Sequence, residues 1–391
     1  MPDALRELGR RLRDTVERAP GWAAHLEGSD LAVADRAALA RLPVLRKPDL
    51  MAMQAARPPF GGLLPEGARP PRLFVSPGPV YEVQPAGEDP YGARAALEAA
   101  GFREGDALVN CFGYHATPGG FILDTGAAAL GCAVFPAGPG NTDQTAQALA
   151  MLRPRGYVGT PDFLKVLLDR ASEAGPDLSS IEIALVSGGA LFPSLRDEYA
   201  ERGVRVMQCY ATADAGVIAF ETRTDDGLDP GMAVHERLIV EIVVPGTGDP
   251  VGEGEVGELV VTNPDRNWPL IRFGTGDLTR WTETPSERGA GRIAGWMGRA
   301  DQRTKVKGMF VDPAQVARVA KAFAGVSRAR LVVSREGDAD AMTLRVVGEG
   351  VEADAVAERL RAETGLRGAV EVVDDLPADG IVVEDARDYE T

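Results

Sequence analysis

The chain has 391 residues, 45% of them hydrophobic, enough to bury a large core and to build two or more domains. Its 42 basic and 58 acidic side chains leave a net charge of -16. That field repels phosphate backbones and anionic membrane surfaces, which argues against nucleic acid and membrane as partners.

In chain order, Leu5, Leu8, Leu12 and Val16 recur at helical spacing among charges over residues 1–20, so the start reads as an amphipathic helix rather than a signal peptide. Three scattered cysteines, Cys111, Cys132 and Cys209, offer no disulfide framework and fit a reducing compartment, so a cytoplasmic location is expected. Residues 1–70 form a helical lead-in that belongs to the N-terminal domain and ends in the Pro- and Gly-rich stretches 57–62 and 69–71. From Leu73 to Cys209 apolar runs alternate with helical patterns, which predicts βαβ units and a mostly parallel sheet. The most apolar window, 121–137, contains Asp124 and is shorter than a membrane span requires. After Ala215 strands follow without helices, an antiparallel region packed beside the main sheet. Beyond Asp301 comes helix (313–322), strand (329–334), strand (342–347), helix (353–364) and strand (369–373). The expected fold is α/β: a large N-terminal domain with core 71–300, and a small α+β C-terminal domain over 301–391.

Several clusters carry chemistry. Pro269-Leu270-Ile271-Arg272-Phe273-Gly274-Thr275-Gly276-Asp277, followed by Gly298-Arg299-Ala300-Asp301, puts a carboxylate and a guanidinium on two turns. Asp277 can accept hydrogen bonds from vicinal hydroxyls, and Arg299 can donate to the same sugar or its phosphate. Turns of this form also occur as plain hairpin loops. Ser187, Gly188 and Gly189 end a predicted strand at the carboxyl edge of the sheet, where backbone can approach a flat base. They equally suit a close-packed strand-to-helix turn. Gln208, Tyr210, Thr212 and Asp214 offer an amide, an aromatic plane, a hydroxyl and a carboxylate within one short segment. Phe112, Tyr114 and His115 lie at another strand end, before Gly119-Gly120. His115 can hydrogen-bond a carboxylate or thioester, and serves equally as a satisfied structural histidine. His25 and His235 have no clustered partners and read as structural. Cys111 with His115 gives too few ligands for zinc.

In their order these motifs resemble the phenylacetate-CoA ligase family of the adenylate-forming superfamily. The resemblance runs from Leu42-Pro43-Val44 with Lys47 to Gly308-Met309-Phe310-Val311-Asp312-Pro313. It implies ATP-dependent activation of a carboxylic acid, aryl or arylacetic, to an acyl-adenylate, and transfer to coenzyme A after the small domain swings about a hinge near Asp301. It also implies AMP held by Asp277, Arg299, Tyr210, Gln208 and the Ser187–Gly189 loop, with Thr212 near phosphate. Asp214 would hold Mg²⁺, and Phe112, Tyr114, His115 and Gly120 would form the acyl pocket. Oligomeric state stays open, a homodimer included.

Two departures from the family matter. The phosphate-cradling loop becomes Ser76-Pro77-Gly78-Pro79, with two N–H donors removed and no lysine, leaving Ser76 and the Gly78 backbone. The C-terminal catalytic lysine is replaced by Ile381. Lys305 and Lys307 are candidate substitutes or coenzyme A phosphate contacts, and equally a solvated basic turn. These losses make a relative that binds AMP or acyl ligands without cleaving ATP the rival reading.

Overall fold

The structure, a computed structural model, describes residues 2–76, 79–172, 175–189, 191–225, 227–284, 290–300, 302–336, 339–377 and 381–387. The chain divides into two compact units, Met1–Trp296 and Met297–Thr391.

The first unit is organised by a nine-stranded sheet. Strands Ala133–Phe135, Ala107–Asn110, Gly156–Gly159, Ile183–Val186 and Arg205–Thr212 lie side by side in parallel. Gly156–Gly159 and Ile183–Val186 are buried at every position. That is why they read as unbroken apolar runs rather than as alternation. Helices Ala93–Ala100 and Gly119–Leu130 cover this sheet, with Leu97, Leu123 and Ala127 packed against Leu108, Val158, Leu185 and Met207. A Cβ on Gly126 would lie 2.5 Å from the Ala93 Cβ, so the glycine permits the close helix approach. Each such large apolar side chain withdrawn from water contributes about 1.5–3 kcal/mol.

The antiparallel strands depart from the expected arrangement. Gly216–Phe220, Met232–Val234, Arg292–Ile293 and Trp281–Glu283 extend the main sheet itself. Ile239–Val243, Gly257–Asn263 and Leu270–Thr279 form a separate sheet, joined in parallel by Leu45–Arg46 of the lead-in. The lead-in is therefore built into the core: Leu8, Leu12, Trp22 and Leu39 share one apolar cluster with Ile239, Val261 and Phe273.

A second departure concerns Leu73–Ser76, which the alternation of runs assigns to the parallel sheet. It pairs instead with Val80–Val83 as a two-stranded antiparallel hairpin. Leu73, Val75 and Tyr81 face solvent while Phe74, Ser76 and Val80 are buried, the period-2 pattern of a half-covered ribbon.

The second unit has a four-stranded sheet in the order Ala369–Val372, Ala339–Gly348, Val326–Glu336 and Val383–Asp385. Helices Pro313–Lys321 and Ala353–Thr364 bury Val316, Val319, Val356 and Leu360 in one core with Leu331 and Leu344 of the sheet. A hairpin, Thr304–Val306 with Met309–Val311, precedes them.

Candidate active site

The last parallel strand, Arg205–Thr212, brings Gln208 and Tyr210 to the edge where Leu270–Thr279 presents Asp277. The Tyr210 hydroxyl donates to Asp277 Oδ2 at 2.6 Å, and the Trp296 indole Nε1 donates to Oδ1 at 3.2 Å. Asp277 is buried, and its own N–H donates to Thr275 Oγ1 at 3.1 Å. Gly276, at φ +76°, makes the turn that delivers the carboxylate. Trp296 is a site residue that sequence reasoning missed.

The adenine-side candidates come together on neighbouring strands. Gln208 Nε2 donates to the Gly189 carbonyl at 3.4 Å, and the Gln208 N–H donates to Glu221 Oε2 at 2.7 Å. Gly188 takes φ +70°, and a Cβ there would sit 3.6 Å from the Phe112 ring, so the loop lies beside the proposed acyl segment. Ser187 is buried, its N–H bound to the Gly159 carbonyl at 3.1 Å. Burial pushes the Cys209 thiol up to about 12 against the opposing Ser187 hydroxyl, and burial alone does the same to Cys111. The three cysteines are free and buried.

Asp214 forms the centre of a second buried cluster. The Lys47 ammonium lies 3.2 Å from Asp214 Oδ2, and neither carboxylate oxygen receives a hydrogen bond of good geometry. Glu82 stands beside it. Burial, and then the Asp214 charge, hold the Glu82 carboxyl well above the ordinary carboxylate range, against the pull of the Ser76 hydroxyl and of Lys47. The Ser76 hydroxyl donates to Glu82 Oε2, so it is already engaged. Thr212 Oγ1 accepts from the Ala215 N–H at 3.1 Å. Among the described residues no group of three or more His, Cys, Asp or Glu side chains is arranged to hold a metal. Mg²⁺ commonly keeps only one or two carboxylates and completes its shell with substrate phosphates and water. The buried Asp214 carboxylate would supply one such ligand, its Oδ2 being held by Lys47 here.

The acyl segment is tightly built. Tyr114 donates to Asp124 Oδ2 at 2.7 Å and stands edge-on to Phe121 at 5.1 Å, while Phe121 meets Phe74 at 5.4 Å. Asn110, fully buried, donates to the Gly120 carbonyl at 2.8 Å and accepts from the Phe112 N–H at 3.0 Å. A Cβ on Gly120 would lie 2.8 Å from the Tyr114 ring, which explains the glycine. His115 is exposed, with its carbonyl accepting from the Thr117 N–H at 2.8 Å.

The remaining candidates belong to the second unit or fall outside the described residues. Arg299 belongs to the second unit, as do Lys305 and Lys307. Lys305 is on strand Thr304–Val306, where its carbonyl accepts from Arg387 Nη1 at 2.9 Å. Lys307 is exposed at the hairpin turn, at φ +48°, its N–H donating to Asp340 Oδ2 at 2.8 Å. Gly78 and Asp301 fall outside the described residues.

Residues 97–266 match the family model described as AMP-binding enzyme. The phenylacetate-coenzyme A ligase of Thermus thermophilus is 30% identical over 67% of this chain and 63% of its own length. The phenylacetate-coenzyme A ligase of Aromatoleum evansii is 27% identical over 64% of this chain and 58% of its own. The chain thus spans less than two thirds of these relatives. Among solved structures, a 2-hydroxyisobutyryl-CoA ligase in complex with 2-HIB-AMP and CoA superposes with a TM-score of 0.76, at 24% identity, over 99% of this chain and 90% of that one. That likeness establishes the fold. Among the described residues no helix is long and apolar enough to cross a membrane.

Proposed function

Since this chain is a phenylacetate-CoA ligase-like member of the adenylate-forming superfamily, we propose that it uses ATP to convert a carboxylic acid to an acyl-adenylate and then passes the acyl group to the thiol of coenzyme A. The observation that carries the reading is the Tyr210–Asp277 hydrogen bond at 2.6 Å beside the Gly188-Gly189 loop. It supplies a buried carboxylate for ribose hydroxyls next to an aromatic face and exposed backbone for adenine. The acid is expected to be aryl or arylacetic, as in the relatives' names.

In this reading Asp277 orients the ribose, with Arg299 donating to ribose or phosphate. Tyr210, Gln208 and the Ser187–Gly189 backbone flank the base. Asp214 would hold Mg²⁺, which supplies charge neutralisation at the phosphates when bound. Phe112, Tyr114 and Gly120 shape the acyl cavity, with His115 at its mouth. Catalysis is then mostly positioning and electrostatics, since the chain contributes no covalent intermediate. Lys305 and Lys307 would contact coenzyme A phosphates or take over the charge role vacated at Ile381. The small unit would move between adenylation and thioester formation, a cytoplasmic reaction with small-molecule partners only, in a monomer or a homodimer.

One observation favours a second reading, an AMP- or acyl-binding relative that does not cleave ATP. The hydroxyl of Ser76, the side chain left in the degenerate phosphate loop, is taken by Glu82. Incubation with ATP, Mg²⁺, coenzyme A and a panel of carboxylic acids, followed by mass spectrometry, separates the two. An acyl-CoA with stoichiometric AMP supports ligase activity. AMP binding without product from any acid supports the second reading.

A further inference from the structure

A buried carboxylate kept charged for a ligand needs donors before that ligand arrives, because an unsatisfied buried charge is costly. Two donors to Asp277 differ in kind. Tyr210 is on strand Arg205–Thr212 and makes the short bond, 2.6 Å to Oδ2. Trp296 lies outside any strand or helix, between Arg292–Ile293 and Thr304–Val306, and makes the longer bond, 3.2 Å to Oδ1. Its backbone follows Gly295, which takes φ +93°. Indole is a donor only, so at Oδ1 it can do just what a ribose hydroxyl does.

We propose that Trp296 is a nucleotide-displaced cap, its indole N–H standing in for a ribose hydroxyl on Asp277 Oδ1 until the vicinal diol takes that oxygen. The inference rests on the assignment of Asp277 to ribose. Tyr210 stays in place as the fixed donor, and Trp296 is the exchangeable one. The cap makes nucleotide affinity a balance between two donors for one oxygen and ties it to the presence of the ribose hydroxyls.

Tryptophan emission is followed during titration with AMP and with 2′,3′-dideoxyadenosine monophosphate, each carried to saturation as judged by calorimetry. AMP is expected to shift the emission and the dideoxy compound to leave it unchanged. Trp296→Phe is expected to abolish the shift and to bind AMP about threefold or more tightly, because no donor has to be displaced. Trp296→His, which keeps an N–H donor, is expected to return affinity toward the parent. Equal shifts with both nucleotides, or weaker AMP binding by Trp296→Phe, overturn the cap while leaving nucleotide binding intact. Absence of any AMP heat in the parent overturns the cap together with the ribose assignment. Should Trp296→Phe fail to fold, the comparison of the two nucleotides on the parent protein still decides.

Discussion

Arg272 sits inside the stretch whose pattern suggested a nucleotide site, yet its side chain has a structural task. It is 1% exposed, and its Nε donates to Glu241 Oε2 at 3.0 Å. Its other nitrogens donate to the carbonyls of Ala40 and Gly248, both at 2.7 Å, and of Leu42. One guanidinium thus ties the lead-in to the antiparallel sheet. Burial already raises the Glu241 pKa, with Arg272 and Arg36 opposing it. Arg272→Met would leave Glu241 buried without its main counter-charge and strip donors from three carbonyls. Removing one partner of a buried pair costs about 3–5 kcal/mol, a large fraction of the 5–15 kcal/mol typical of a folded protein. Urea unfolding followed by far-UV circular dichroism should show the first unit's transition moved to lower urea by that amount. Arg272→Lys should fall between, since a point charge cannot fill a fork. Glu241→Leu combined with Arg272→Met should recover about half, because the stranded charge is gone while the carbonyls stay unmet. A single-variant cost below about 1 kcal/mol would refute the reasoning.

Three further outcomes are expected. Tyr210→Phe removes a hydrogen bond to a buried carboxylate and should weaken AMP binding about tenfold by calorimetry, with the melting temperature nearly kept. His235 is pushed down to about 4, chiefly by burial and then by Arg237, and its Nδ1 accepts the Arg237 N–H at 3.2 Å. Because the folded value lies below the ordinary 6.5, its neutral form contributes stability that is present above pH 6.5 and lost as pH falls toward 4. His235→Gln should flatten a loss of up to about 3 kcal/mol over that window in urea titrations at several pH values. Gly120→Ala should cost about 1–3 kcal/mol by thermal unfolding, since the new methyl meets the Tyr114 ring at 2.8 Å.

What the sequence revealed follows from where each signal is local. Val186-Ser187-Gly188-Gly189 and Gln208–Asp214 were legible because buried parallel strands read as apolar runs, and their carboxyl ends are where α/β folds bind ligands. The hairpin of Leu73–Ser76 with Val80–Val83 is not legible in the sequence, because Leu73-Phe74-Val75 is an unbroken apolar run and such a run does not disclose its partner. The meeting of Lys47, Glu82 and Asp214 joins residues from separate elements, and no spacing rule announces it. Trp296 was invisible for the same reason: an indole in a Gly-rich segment gains meaning only once Asp277 lies beside it. Arg272 stands within the motif in sequence, whereas its contacts are to the Glu241 carboxylate and to backbone carbonyls far along the chain.

The most direct test of the proposed activity is isotope exchange between pyrophosphate and ATP in the presence of individual carboxylic acids. Exchange that depends on the acid, and that is lost in Asp277→Ala while that variant stays folded, is the predicted result. Absence of exchange with every acid, or exchange by Asp277→Ala at the parent's rate, would contradict it.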